Sequence, residues 1–254
     1  MQTLEEQGYL HIPALLPPDQ VRDLQQAFSE LLALAKTLPP TDPEGLHQAH
    51  FVRSWDPFKL HRVVWAGAAS PMLAKLGDEP RFLAIAASVL GTSQMDQLIQ
   101  QAHFKLPGDG VAFSWHQDAS NRRYGSPLWS DTNGQGSFVQ IAVAVDPMGP
   151  HNGGLQVLPG THRLGFVADP ETGEIPPEHL DLNAAVYLDM APGDAALFGP
   201  FLIHGSGPNT GTTSRRLFLQ GYACPGANRR RYPGSGLGLP RHLPQMLSPK
   251  LSEQ

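Results

Sequence analysis

Two potential metal ligands stand two positions apart in this sequence, at His116 and Asp118. Side chains at i and i+2 of a β-strand leave the same face, so an imidazole and a carboxylate placed here could hold one metal ion from one side. His204, which follows the apolar stretch 201–203, is the natural candidate for a third ligand. Two histidines and one carboxylate on one face, with open positions opposite, are the ligand set of non-haem Fe(II) oxygenases.

A candidate anion-binding residue, Arg215, lies eleven positions beyond His204. The segment between them is rich in Gly, Pro and Thr, so it can form a hairpin turn that returns the chain to the same cavity. Arginine binds a carboxylate through two parallel hydrogen bonds. Arg216 is adjacent and would face the other way on a strand. Strand alternation does not choose between the two arginines, because both alternating sets that follow them are apolar.

The composition is that of an ordinary globular protein, with 41% hydrophobic and 16% charged residues in a chain of 254. We expect a single domain over residues 1–254, since mainly β chains of this size commonly form one. The formal net charge of −5 argues against a nucleic acid as the main partner. The single cysteine, Cys224, and the absence of a signal-like or membrane-spanning apolar run indicate a cytoplasmic protein without a membrane partner. These features leave a monomer and a homodimer equally open.

The N-terminal third is predicted to be helical, because its apolar residues recur at helical spacing. The three predicted helices span residues 17–38, 71–76 and 80–90. Ser70 is the expected N-cap of the second helix and Asp78 a candidate N-cap of the third, which should end at Gly91. Their apolar faces should cover one side of a sheet. Residues 39–66 show no clear pattern and are predicted to be irregular.

From residue 94 the sequence changes to short apolar stretches separated by turn residues. Predicted strands span residues 97–106, 112–118, 137–146, 155–158, 186–190, 195–202 and 216–223, with long loops at 119–136 and 165–184. This spacing predicts a mainly β protein with flanking helices, in which a double-stranded β-helix (jelly roll, cupin-like) core carries N-terminal helices on one sheet. The expected parts are a helical flank (1–93), the core (94–224) and a C-terminal tail (225–254).

Several motifs in this order resemble the phytanoyl-CoA dioxygenase family of Fe(II)/2-oxoglutarate oxygenases. They are the segment 8–13 with its following helix, the stretch 115–118, the stretch 152–162, Gly193-Asp194, and the stretch 204–209 followed by Arg215. Each motif is weak alone, but together they run through nearly the whole chain. The family's arginine normally lies about eleven residues past the distal histidine, so the resemblance favours Arg215 over Arg216.

The resemblance implies a set of roles for these residues. His116, Asp118 and His204 would hold iron, and Arg215 would bind the far carboxylate of 2-oxoglutarate. Further contacts to the cosubstrate are expected from Gln117, Ser206, Trp129 and Lys105. The expected reaction uses O2, with ascorbate as an optional reductant, and couples decarboxylation of 2-oxoglutarate to succinate and CO2 with hydroxylation of an unactivated C–H bond. Asp118 also separates this chain from related halogenases, which carry a small residue in place of the carboxylate.

Substrate specificity is expected to reside in the loops at 47–62 and 119–136. Asn121, Arg122 and Arg123 follow the metal pair directly and suggest an anionic small molecule. Trp115 is a further candidate substrate contact. Apolar walls that keep water from the reaction are expected from Phe113, Trp115, Phe198, Phe201 and Leu217.

Three alternatives remain open on the sequence alone. The same iron site could perform desaturation, cyclisation or epimerisation. A jelly roll could also bind a ligand without catalysis and without metal. A zinc hydrolase would use similar ligands, but it would leave Arg215 and its spacing without a role.

Overall fold

A computed structural model describes residues 2–40, 46, 48–231 and 238–244 of the chain. Within these residues the α-helices are α1 (Gln2–Gln7), α2 (Pro18–Thr37), α3 (Pro71–Lys75), α4 (Pro80–Leu90) and α5 (Asp118–Asn121). The β-strands are β1 (Tyr9–Ile12), β2 (Phe51–Trp55), β3 (Phe58–Val63), β4 (Gln94–Lys105), β5 (Phe113–His116), β6 (Phe138–Ala144), β7 (Gln156–Val157), β8 (Val186–Tyr187), β9 (Ala195–Phe198), β10 (His204–Ser206), β11 (Arg215–Ala223) and β12 (Leu239–His242). The predicted mainly β class is confirmed.

The strands form two antiparallel sheets. The larger sheet has the order β1-β9-β6-β11-β4-β3-β2, and β12 also pairs with β4. The smaller sheet has the order β5-β10-β7-β8. Neighbours in both sheets are mostly distant in sequence, as in a jelly roll. This topology brings the end of β5 beside the start of β10, which is how residues far apart in the chain come to share one site.

Helices cover the outer face of the larger sheet, as the apolar spacing predicts. The buried face of α2 carries Val21, Leu24, Ala27, Phe28, Leu31 and Ala35. Its Phe28 ring lies 5.2 Å from the ring of Phe104 on β4 and 6.1 Å from that of Phe218 on β11. These aromatic contacts bury a large apolar area and fix the helix on the two central strands. The inner face of the same strands is left to carry polar side chains.

The predicted irregular segment 39–66 is wrong for the part that the structure describes. Residues 51–55 and 58–63 form the hairpin β2–β3, which extends the larger sheet beyond β4. A register shift between Val52 and Arg53 breaks the regular alternation of apolar residues in this hairpin. That irregularity removes the period-two signal by which a strand is recognised in a sequence.

Other boundaries differ in smaller ways. Ser70 caps α3 as expected, since its hydroxyl accepts a hydrogen bond from Leu73 N at 3.4 Å. The side chain that caps α4 is Glu79, which accepts from Arg81 N, and not Asp78. Gly91 ends α4 in the left-handed region, as predicted. The predicted strand 195–202 is shorter, because β9 ends at Phe198.

The C-terminal tail is partly described. Its segment β12 lies against β4, and Arg241 there donates to Asp78 and to Gln97. Residues 232–237 and 245–254 lie outside the described part of the chain. Cys224 is buried with a free thiol. None of the described helices has the length and apolarity needed to cross a membrane.

Candidate metal centre

The three predicted ligands come together at one point. Ligand atoms of His116, Asp118 and His204 all lie within 4.8 Å of one another. His116 Nε2 lies 3.6 Å from one carboxylate oxygen of Asp118, and His204 Nε2 lies 3.3 Å from the other. The antiparallel pairing of β5 with β10 places His116 directly opposite His204. Two nitrogens and one carboxylate oxygen thus converge in the way that a facial metal site requires.

His116 and Asp118 do not lie on one strand, which differs from the prediction. His116 ends β5, and Asp118 is the first residue of the short helix α5. Gln117 between them keeps an extended backbone, with φ −110° and ψ 133°. The i and i+2 relation therefore survives up to Asp118, although the strand itself stops earlier.

Both imidazoles are oriented by backbone carbonyls. The Nδ1–H group of His116 donates to Ser114 O at 2.7 Å, and that of His204 donates to Leu202 O at 3.0 Å. This leaves the Nε2 lone pair of each ring facing Asp118, which is the tautomer that a metal ligand needs. Burial, with the neighbouring His116, lowers the pKa of His204 to about 4 against the opposing effect of Asp118. His204 is therefore a neutral imidazole near pH 7.

Gln140 on β6 holds the carboxylate of Asp118. Its amide nitrogen donates to Asp118 Oδ2, and the side chain is almost fully buried. Burial alone would raise the pKa of Asp118, but His204, His116 and Gln140 together keep it below its usual value. The sequence prediction missed Gln140. The available signal was one amide in the middle of an otherwise apolar strand.

A bulge in β5 decides which aromatic residues face the metal centre. His204 pairs with His116, but Ser206 pairs with Phe113, so three steps on β5 match two on β10. Phe113 and His116 consequently line the same cavity. Trp115 instead packs with Phe166 and neighbouring apolar residues in a separate cluster. Trp115 does not line the cavity beside the three ligands, and its contact with the substrate stays a prediction.

The cavity beside the three ligands has a volume of about 270 Å³. Its apolar walls include Phe113, Leu155, Phe198 and Leu217. His103 also lines it, stacked on Phe113 at 4.9 Å, and burial holds the pKa of His103 well below its usual value. Phe201, predicted as a wall, lines a different cavity near the N-terminal segment. Three of the predicted apolar side chains, Phe113, Phe198 and Leu217, therefore do line this site.

Arg215 enters the cavity from the larger sheet, and Arg216 does not. Arg215 is 1% exposed, and its Nε and Nη2 atoms donate to Gly153 O at 2.9 and 2.6 Å. Its Nη1 atom is buried without a hydrogen-bond partner. Arg216 pairs with both carboxylate oxygens of Asp146 at 2.8 Å and also donates to the backbone of Gln25 in α2. The geometry agrees with the choice of Arg215 that the family spacing favours.

Lys105 and Ser206 lie next to Arg215. Lys105 pairs with Arg215 across β4 and β11, and its Nζ atom donates to Ser206 Oγ at 2.6 Å and to three backbone carbonyl oxygens. Burial, with repulsion from Arg215, lowers the pKa of Lys105 to about 6. Ser206 lines the cavity, whereas Lys105 lies behind it. The buried guanidinium of Arg215 with its spare N–H group and the adjacent Ser206 hydroxyl form a site that fits a carboxylate.

This arrangement fits iron and 2-oxoglutarate together. The donor set suits a divalent metal, and the unpaired Nη1 of Arg215 is a buried donor that needs an acceptor. A diacid that chelates a metal at one end and meets a guanidinium at the other supplies that acceptor.

Two predicted cosubstrate contacts have other positions. The Gln117 amide donates to Gly165 O and Phe201 O and accepts from the backbone N–H groups of residues 167 and 168. It is fully buried and fastens the loop after β7 beneath the metal centre. Trp129 packs edge-on against Phe138 in the main core. Neither side chain lines the cavity, and their contacts with the cosubstrate stay predictions.

The loop residues divide between two surfaces. Asn121 and Arg122 line the cavity, together with His50 and Arg62 from the segment 47–62. Residue 47 itself lies outside the described residues. Arg123 is exposed, with a φ of 59°, and borders an adjoining groove instead. This groove shares Arg62, Phe113, His116, Asn121 and Arg230 with the cavity, and the contact of Arg123 with the substrate stays a prediction.

Comparison with known proteins agrees with this geometry. The sequence pattern of the phytanoyl-CoA dioxygenase (PhyH) family matches residues 4–217. Methylphosphonate hydroxylase of Gimesia maris is 25% identical over 215 residues, which cover 85% of this chain and 76% of that protein. Ectoine dioxygenase of Sphingopyxis alaskensis is 27% identical over 179 residues, 69% of this chain and 52% of that protein. The chain thus spans about three quarters of the first relative and about half of the second.

Solved structures show the same fold. The crystal structure of EctD from S. alaskensis with 2-oxoglutarate and 5-hydroxyectoine superposes with a TM-score of 0.73 at 22% identity, covering 94% of this chain and 86% of that one. EvdO2 from Micromonospora carbonacea var. aurantiaca, complexed with 2-oxoglutarate, gives a TM-score of 0.69 at 22% identity and covers 92% and 93%. The predicted double-stranded β-helix core with flanking helices is confirmed by these likenesses.

Proposed function

This chain belongs to the phytanoyl-CoA dioxygenase family, and we propose that it is an Fe(II)- and 2-oxoglutarate-dependent dioxygenase that hydroxylates an unactivated C–H bond of a small molecule. One observation carries the proposal: three metal-ligand atoms and a buried arginine with an unpaired N–H group meet in one cavity. The names of the relatives, a methylphosphonate hydroxylase and an L-proline trans-4-hydroxylase among them, support hydroxylation of a small molecule.

His116, Asp118 and His204 would hold the iron. When bound, iron with 2-oxoglutarate and O2 supplies the oxidising power for C–H hydroxylation, with succinate and CO2 as coproducts. The carbonyl contacts aim both imidazoles, burial keeps His204 neutral, and Gln140 holds the carboxylate of Asp118. Coordination positions away from these three side chains remain for the cosubstrate and O2.

Arg215 and Ser206 would bind the far carboxylate of 2-oxoglutarate. The Nη1 atom of Arg215 has no other partner, and Ser206 is already oriented by Lys105. Phe113, Phe198 and Leu217 keep this region apolar, which excludes water from the reacting atoms. A hydrolase would have no use for this second binding point, which favours the oxygenase over the zinc alternative.

The test measures iron and turnover together. Under oxygen-free conditions, the wild-type protein should bind one Fe(II) per chain and then bind 2-oxoglutarate, and with O2 and a substrate it should release succinate. His204→Ala should lose Fe(II) binding and turnover, while His242→Ala, which removes an exposed histidine on β12, should retain both. Ascorbate can be added to keep the iron reduced.

Product mass separates the outcomes of the same iron site. Hydroxylation adds one oxygen, desaturation removes two hydrogens, and epimerisation leaves the mass unchanged. Normal turnover in His204→Ala would refute the metal assignment, and turnover without O2 would refute the oxygenase.

A further inference from the structure

The charge of the cavity wall is far from balanced. Among the described residues that line it, four are arginines (Arg62, Arg122, Arg215 and Arg230) and one is a carboxylate, Asp118. Iron(II) and doubly ionised 2-oxoglutarate cancel each other, so their binding leaves the excess of arginines over carboxylates in the cavity wall unchanged. An excess of this size in a partly enclosed cavity attracts and binds anions.

Arg62 is the least satisfied of these side chains. It stands on β3 opposite His103 of β4, and its Nε atom is buried without a hydrogen-bond partner. In the part of the chain that the structure describes, Arg62 forms no ion pair. Burial lowers the pKa of Arg62, Asp118 opposes that effect, and Arg122 adds to it. A half-buried guanidinium with a buried Nε–H donor, close to further positive charge, is a favourable position for an anion.

The cosubstrate does not supply that anion. Its far carboxylate is accounted for by Arg215, which lies on β11, and β4 separates β11 from β3 in the sheet. Asp118 is also committed, since it contacts both histidines and Gln140. Arg62 and Arg122 therefore form a second anion-binding position in the same cavity, which we call the outer arginine pair.

We propose that the substrate of this enzyme is a small organic acid whose carboxylate or phosphonate group is bound by the outer arginine pair, with Arg62 as the specificity-determining residue. The inference rests on the proposed function and deepens it. Arg122 follows Asp118 by four residues through the short helix α5, so an anion held there lies close to the metal centre. The volume of about 270 Å³, which the cosubstrate must share, limits the size of the substrate part that lies inside the cavity.

The first experiment measures anion binding with the cosubstrate site filled. Oxygen-free enzyme saturated with Fe(II) and 2-oxoglutarate is titrated with acetate, methylphosphonate and inorganic phosphate, and with acetamide as the uncharged control. The wild type should bind at least one of the anions and not acetamide. Arg62→Gln should weaken anion binding by about tenfold or more, because a charge-assisted pair of hydrogen bonds is lost. Arg62→Lys keeps the positive charge but not the planar guanidinium with its paired N–H donors. It should therefore recover part of the lost anion affinity.

The matched control is Arg229→Gln, since Arg229 is an exposed arginine that does not line the cavity. It should bind the anions as the wild type does. A second measurement uses catalysis: a panel of small carboxylic and phosphonic acids and their amides is screened for stimulated succinate release. Acids should stimulate and amides should not, and Arg62→Gln should raise the KM for the acid while leaving the KM for 2-oxoglutarate within about twofold.

The outcomes separate this inference from the proposed function. If Fe(II) and 2-oxoglutarate bind normally but Arg62→Gln and the wild type have equal affinity for the anions, the outer arginine pair is not the substrate site. Equal stimulation by acids and amides leads to the same conclusion. Failure of the wild type to bind Fe(II) or 2-oxoglutarate would instead overturn the proposed function. Preference for carboxylates or for phosphonates then identifies which acid the pair accepts.

Discussion

The two positively charged positions of the cavity are built in different ways. Arg215 and Lys105 are fully buried, lie opposite each other on central strands and are held by several backbone carbonyls. Arg62 is half-buried on the hairpin strand β3, and Arg122 follows a short helix. The position formed by Arg215 and Lys105 is rigid, which suits a cosubstrate that is the same in every turnover. The second lies where a strand and a loop can vary without disturbing the sheet, as expected for a substrate position.

Removing the buried arginine should have the largest effect. Arg215→Gln should weaken binding of 2-oxoglutarate by about 10- to 150-fold, because hydrogen bonds to a charged group contribute about 1.5–3 kcal/mol. The measurement is the Kd of 2-oxoglutarate for the oxygen-free Fe(II) enzyme. Fe(II) affinity should change little, since Arg215 does not contact the three ligands.

Arg216→Gln is the matched control, because it alters the adjacent arginine on the same strand. It removes the pair with Asp146, so it should lower the free energy of unfolding while leaving the Kd of 2-oxoglutarate near the wild-type value. A larger loss of 2-oxoglutarate affinity in Arg216→Gln than in Arg215→Gln would assign cosubstrate binding to Arg216. The comparison between the two charged positions would then be wrong.

Gln140 stands on β6, on the side of β11 away from β4 and β3, and its substitution should affect the metal. Gln140→Leu removes the amide that holds Asp118, so Fe(II) affinity should fall by about 10- to 100-fold. The measurement is the Kd of Fe(II) or of Mn(II) as its redox-stable substitute. The control is Gln220→Leu, which removes another buried sheet glutamine that pairs with Gln97 and does not line the cavity. Equal loss in both variants would indicate a general effect on the fold.

Much of this site could be predicted because it depends on local spacing. The ligands His116 and Asp118 are two residues apart, and the turn between His204 and Arg215 is short, so chain geometry alone brings each pair to one place. The choice between Arg215 and Arg216 required the family resemblance. In the structure it follows from Asp146 and α2, which bind Arg216 on the outer face.

The residues that the sequence analysis missed, or placed in the cavity although they do not line it, depend on contacts between distant segments. Arg62 faces the cavity only because the hairpin β2–β3 pairs with β4, and a register shift hides that hairpin in the sequence. Phe113 shares the cavity with His116 because of the bulge in β5, which alternation cannot reveal, whereas alternation alone already places Trp115 on the opposite face. Gln117 is adjacent to two ligands, yet its amide binds the loop at 165–168. In each case one residue of register decides which face a side chain occupies.

The protonation state of Lys105 should make the affinity for 2-oxoglutarate depend on pH. Its pKa of about 6 in the free enzyme should rise when a dianion binds nearby, so binding of 2-oxoglutarate takes up a proton. The gain in affinity from the protonated amine is complete below pH 6. It is lost as the pH rises through the higher pKa that Lys105 has in the complex. Affinity should therefore fall between pH 6 and 8, by at most about tenfold per pH unit.

The measurement is the Kd of 2-oxoglutarate across this pH range in the wild type and in Lys105→Met. The variant should bind more weakly but with a flatter dependence on pH, because the titrating amine is absent. The slope, and not the absolute affinity, is the informative quantity, since Lys105 also orients Ser206. An identical slope in both proteins would assign the proton uptake to another group.

The smallest expected effect is the coupling between the two positions. Charges that act on Arg62 come from Asp118 and Arg122, whereas those that act on Arg215 come from Asp109 and Asp146. Separate surroundings predict that the double variant Arg62→Gln/Arg215→Gln changes the Kd of 2-oxoglutarate as Arg215→Gln alone does, within about 0.5 kcal/mol or twofold. His103 on β4 connects their surroundings, because both arginines lower its pKa and it pairs with Arg62 on one side and with Leu217 of β11 on the other. A coupling well above twofold in the double variant, abolished when His103→Phe is added, would show that the substrate and cosubstrate positions communicate through that ring.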